Sequence, residues 1–219
     1  MPDDSRLTLA EFAYHRAVFA DDRAGLPAAG RALDAVAADL ALARGRLLHA
    51  DFLDSGLADP REAELFAEAA RCYAALGDRR GEGEALFWVG LVNQMIDQDD
   101  VAAAEVFDRA LSLANETGDR LTASYILRHI GIGAHRAGQL DVARERLTES
   151  TRLRRELGFE DGAAANLVGL AYLAAQQDRR DDAARHLDEG DELASRHAAV
   201  AVSRQLAQAR RNLGFEQSR

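Results

Sequence analysis

The chain has 219 residues, 47% of them hydrophobic and 29% charged, a globular rather than a disordered composition. A net charge of −10 and a pI near 5.1 leave no basic footprint for phosphate contacts, which excludes nucleic acid as the main partner. No apolar run reaches the ~18 residues of a membrane helix, and the single cysteine, Cys72, rules out an internal disulfide or a cysteine-based metal cluster.

Alanine is abundant, prolines number three, and runs of β-branched residues are few, so an all-α protein is expected. The acidic start "MPDDSRLTLAEF" has no apolar export core, which predicts a soluble, cytoplasmic chain. All 27 basic residues are arginine. With the alanine excess this resembles the codon bias of a GC-rich bacterium such as an actinomycete, and it accounts for many arginines without a functional role.

Within residues 1–43, "LTLAEFAYHRAVFADD" and "PAAGRALDAVAADLALA" predict a divergent helix pair, with Pro27 in a first turn where proline is tolerated. Residues 44–79 predict a weak repeat, with "RGRLLHADFLDSG" as its first helix and "PREAELFAEAARCYAALGD" as its second. Cys72 sits on the apolar stripe of that second helix, where it reads as a small buried hydrophobe. From residue 80 the chain falls into three ungapped blocks of 40, at 80–119, 120–159 and 160–199, followed by a lone terminal helix over 200–214.

The blocks share their columns. Phe87, Leu127 and Leu167 coincide in the first half; Ala103, Ala143 and Ala183, then Phe107, Leu147 and Leu187, coincide in the second. Each block therefore reads as two apolar-faced helices joined by a polar turn, "DQDD", "AGQL" or "QDRR", with small residues where paired helices approach closely. The middle block, through Leu127, Ile130, Gly131, Ala134, Gly138, Ala143, Leu147 and Ser150, resembles the tetratricopeptide repeat in a long, roughly 40-residue bacterial form. The match is loosest at Ser150 and Gly190, where the family has alanine. The resemblance implies one continuous right-handed superhelix of helix pairs over residues 1–219, closed by a C-terminal cap helix.

Catalytic signals are missing. "GDRRGEGEAL" lacks a P-loop pattern, no GxSxG elbow occurs, and the six histidines have no HExxH spacing, so no catalytic residue, metal or cofactor is assigned. His49, Asp51 and Asp54 read as a solvated helix edge rather than as ligands. Asp100 and Asp181, in acidic turns, read as helix caps. The charges of "STRLRRELGF", Arg152, Arg154, Arg155 and Glu156, read as a solvated, salt-bridged face.

One stretch, "SYILRHIGIGAHRAGQ", places Tyr125, Arg128, Ile132 and His135 on a single helical stripe. The family resemblance implies that the first helix of each pair lines a concave groove. Carried over by position, the groove residues are Trp88, Val92, Tyr125, Arg128, Ile132, His135 and Tyr172, with Met95, Arg136, Ala165 and Val168 beside them. Only Arg128 keeps the cationic chemistry of the family's peptide-carboxylate clamp, so a full clamp is absent. Asn93, His129 and Asn166 are candidates for a polar pocket, His129 turned toward a neighbouring helix. Two functions fit: a non-catalytic module binding a peptide or protein, with an anionic partner suiting Arg128; or a metabolite sensor or biosynthetic accessory protein with a pocket around Trp88, Arg128, His129 and Tyr172.

Overall fold

The computed structural model describes residues 4–215, and these form ten α-helices with no strand. They are α1 (Ser5–Phe19), α2 (Leu26–Ser55), α3 (Arg61–Leu76), α4 (Arg79–Met95), α5 (Asp100–Thr117), α6 (Arg120–Arg136), α7 (Leu140–Glu156), α8 (Glu160–Gln176), α9 (Arg180–Arg196) and α10 (Val200–Asn212). None of the described helices is long and apolar enough to cross a membrane. Two compact units divide the chain, Met1–Leu113 and Ala114–Arg219.

The 40-residue sequence period appears as helix starts: α6, α8 and α10 begin at 120, 160 and 200, and α5, α7 and α9 at 100, 140 and 180. The connections repeat twice as often. Gln98, Gly118, Gly138, Gly158, Asp178 and Ala198 all have positive φ, one every 20 residues. Each ends a helix in the left-handed conformation, which turns the chain within two or three residues and lets the next helix start at once.

In the first unit α1 packs on α2, α2 on α3, and α3 on α4. Its core gathers Ala38, Leu42, Phe66, Ala69, Tyr73, Ala85 and Val92, with Cys72 and Trp88 packed at its edge. The expected helix boundary between residues 43 and 44 does not exist, because α2 runs unbroken for 30 residues. Gly45, in mid-helix, has no terminating role; it leaves room for the Phe66 ring, which any Cβ there would strike. Acidic caps begin several helices: the carboxylates of Asp4, Asp78 and Asp119 accept from the amides of Arg6, Gly81 and Thr122. At α5 the cap is Asp99, bonded to the amides of Val101 and Ala102, and not the adjacent Asp100, whose side chain accepts from Gln94.

In the second unit α6 packs on α7, α7 on α8, α8 on α9, and α10 on both α8 and α9. Large and small residues alternate across the pairs. Leu147 lies against Gly131, while Ala143 and Ala183 are fully buried where helices meet. The same complementarity in the first unit sets the Phe107 ring against Gly90.

Candidate functional site

The distinctive chemistry of the second unit is a polar network where α6, α7 and α8 meet. Arg154, on α7, is 2% exposed. Its Nη1 donates to the Gly162 carbonyl at 2.7 Å and to Asn166 Oδ1 at 3.1 Å, and its Nε makes a long contact of 3.4 Å with Ser124 Oγ. Arg128, half-buried on α6, directs Nη1 to the same Asn166 Oδ1 at 2.8 Å and to the Ala165 carbonyl at 2.9 Å. Asn166 is fully buried, and its amide nitrogen donates to Ser150 Oγ at 2.8 Å; Ser150 in turn donates to the Ser124 carbonyl at 2.5 Å.

Aromatic faces complete the enclosure. The Arg154 guanidinium carbon lies 4.8 Å from the centre of the Tyr125 ring and 5.3 Å from that of Phe159. These contacts stabilise a cation whose hydration shell is gone. Phe159 stands at the N-cap position of α8, where its side chain makes no capping hydrogen bond, and its ring fills the space left by Gly162.

Every acceptor in this network is neutral. Among the described residues neither Arg128 nor Arg154 pairs with a carboxylate, and both N–H bonds of Arg154 Nη2 point to no acceptor although the atom is enclosed. Burial, and next the charge of Arg128, push the Arg154 guanidinium down to about 9, with Tyr125 opposing; Arg128 is also lowered by burial. Both groups keep their protons at neutral pH. The two guanidinium groups share one acceptor oxygen, so their like charges repel at short range. The arrangement therefore carries an electrostatic penalty that an apolar core would avoid.

Arg154 was expected on a solvated face with Arg152, Arg155 and Glu156. The other three do lie there: Arg152 pairs with Glu149 and Glu156, Arg155 with Glu189, and Glu156 also with Arg120. Arg154 itself turns inward. The repeat register held the signal, because the equivalent positions one block either way are Ala114 and Ala194, both buried alanines.

Other expected site residues divide. Arg128, Ile132, His135 and Tyr172 are half-buried along α6 and α8. His135 Nε2 lies 2.7 Å from Gln176 Oε1 on α8, and the Tyr172 hydroxyl accepts from Asn212 of α10 at 2.9 Å. Tyr125 leans inward against Arg154 and Phe159, and His129 is half-buried. Asn166 belongs to the buried network and not to an open pocket. Val92 is 4% exposed inside the core of the first unit, so it lines no surface there. Trp88 is packed in the same unit, stacked on Phe66 at 5.2 Å and edge-on to His49 at 5.4 Å, with Arg46 over its ring. Asn93 is half-buried on α4.

No group of three or more potential metal ligands occurs among the described residues. His49 does not act with Asp51 and Asp54; its Nδ1 lies 2.8 Å from Oε1 of the buried Glu62. A polar cavity of about 260 Å³ in the first unit is lined by Asp39, Arg46, Tyr73, Arg80 and Glu84 among others. Its charges are already matched internally, through Arg6 with Asp39, Tyr73 with Asp39, and Arg46 with Glu84. Compared with known proteins, the chain matches no protein-family model and no curated sequence.

Proposed function

We propose that the protein is a non-catalytic, tetratricopeptide-like superhelix that binds a peptide or protein segment along the face shared by α6, α8 and α10. One observation carries this: at a 40-residue spacing, Ile132, Tyr172 and Asn212 stand in one column beside Arg128 and His135, and the Ile132, Tyr172, Arg128 and His135 side chains stay half-exposed while neighbouring positions close into the core. Half-buried aromatic and aliphatic side chains flanked by a cation suit an extended acidic segment, whose backbone finds polar groups and whose side chains find apolar ones. Arg128, Ile132, His135 and Tyr172 then contact the partner; Trp88 and Val92 support packing in the first unit.

Selection from a random peptide library tests it. Peptides retained by the wild type should lose binding to Tyr172→Ala and Ile132→Asp and keep it to Arg152→Ala on the salt-bridged, exposed side of α7. Failure to select any peptide, or equal binding by all three variants, overturns the proposal.

A further inference from the structure

Arginine heads buried in a protein are normally matched by carboxylates, because a desolvated cation is expensive unless an opposite charge and full hydrogen bonding accompany it. Arg128 and Arg154 break that rule together. Their shared acceptor, Asn166 Oδ1, is neutral, and so are the carbonyls of Gly162 and Ala165. Arg154 Nη2 is enclosed and unmatched. Arg128 spends only Nη1 on the protein and keeps Nε and Nη2 for other partners, on a residue that still reaches the α6 face. An oxyanion answers each of these deficits at once: it accepts from several N–H groups of the two forks and neutralises the repulsion between them.

We propose that Arg128 and Arg154 form a binding site for one compact oxyanion, a carboxylate or a phosphate group, entering from the α6 face. The network is built to hold the two cations in place before the anion arrives. Asn166 fixes both Nη1 atoms, Ser150 orients Asn166, and the Tyr125 and Phe159 rings confine the Arg154 head. The site rests on the peptide-binding proposal only for the origin of the anion, as part of a bound segment; the pair itself is testable with free anions.

The test adds sodium phosphate or sodium acetate to the full chain at constant ionic strength, with chloride as the reference. Two signals are followed, the melting temperature and the arginine side-chain Nε–H resonances by NMR. Saturable shifts of the Arg128 and Arg154 resonances, with a rise in melting temperature beyond that in chloride, are expected for at least one anion. Phosphate acting alone assigns a phosphate group, and an effect of acetate assigns a carboxylate. Arg128→Gln should weaken the apparent affinity at least tenfold while Arg152→Gln leaves it unchanged. Anion effects equal to those of chloride, or undiminished in Arg128→Gln, overturn the site and assign the pair to bracing between helices. Arg154→Met adds a second arm if it folds: normal anion binding by that variant also overturns the proposal. Failure here with successful peptide selection leaves the groove intact and removes only the anion.

Discussion

Asn166 Oδ1 accepts from Nη1 of Arg128 at 2.8 Å and of Arg154 at 3.1 Å, so one neutral oxygen on α8 joins cations from α6 and α7. Replacing it removes the only side-chain acceptor the two share. Asn166→Leu restores the apolar character of the equivalent Leu86 and Ile126 yet leaves each Nη1 with a backbone carbonyl alone, of Ala165 or Gly162, and takes the donor from Ser150 Oγ, so it should lower stability by about 1–3 kcal/mol. Adding Arg154→Met to that variant should recover at least ~1 kcal/mol, because exchanging a buried charge for an apolar chain of similar length is neutral or stabilising. Chemical denaturation of both variants decides this. A double variant less stable than Asn166→Leu alone would mean that Arg154 contributes net stability despite its unmatched charge.

Helix number and spacing from residue 80 onward were legible because the 40-residue columns record packing directly: a buried alanine at 103, 143 and 183 and a large apolar residue at 107, 147 and 187. The network escaped because a charged residue on a charge-rich helix reads as solvated. Only comparison down the column, Ala114 to Arg154 to Ala194 and Leu86 to Ile126 to Asn166, separates it from its neighbours. Ser150, marked in sequence as a departure from alanine, is explained by its bond to Asn166. The first half was less legible. Nothing local shows that the helix over residues 27–43 continues through Gly45, where the missing side chain admits the Phe66 ring.

The columns make a stability prediction. Ala143 is fully enclosed, and its carbonyl already lies 3.3 Å from where a Cβ on Gly131 would stand, so this contact has no spare room. Ala143→Leu should cost roughly 1–3 kcal/mol through overpacking. Phe107, 1% exposed and stacked near Phe87, should cost about 3–5 kcal/mol when truncated to alanine. Thermal melting of the two variants checks the order; a milder loss for Phe107→Ala would contradict it.

The turn geometry predicts a gain. Ala198 ends α9 with φ 54°, in the position that Gly118, Gly138 and Gly158 occupy at other helix ends, and its side chain is exposed. A Cβ in the left-handed region is strained, and glycine there relieves the strain at some loss of unfolded-state restriction. Ala198→Gly should therefore raise stability by roughly 0.5–1 kcal/mol, and the reverse change Gly158→Ala should lower it by a similar amount. Denaturation midpoints that move in the opposite directions would refute this account of the connections.

His49 and Glu62 provide the last test, in the first unit. His49 Nδ1 and Glu62 Oε1 lie 2.8 Å apart, linking α2 to α3 at a point where both side chains are enclosed. The imidazole also lies edge-on to Trp88 and tilted against Phe52, with ring centres 5.4 and 5.9 Å away, so the ring packs as well as bonds. Glu62 Oε2 has no partner, which means the carboxylate is only half satisfied and the pair is a costly way to join two helices. Removing one member leaves the other buried without its partner: His49→Leu and Glu62→Leu should each destabilise, by about 2–4 kcal/mol for Glu62 and less for His49, whose ring contacts leucine replaces in part. The double variant removes both polar groups, so its loss should fall short of the sum of the singles by about 1–3 kcal/mol. Urea denaturation of the four chains measures that coupling. Additive losses would show that the two side chains act independently, with His49 serving only as an aromatic filler beside Trp88.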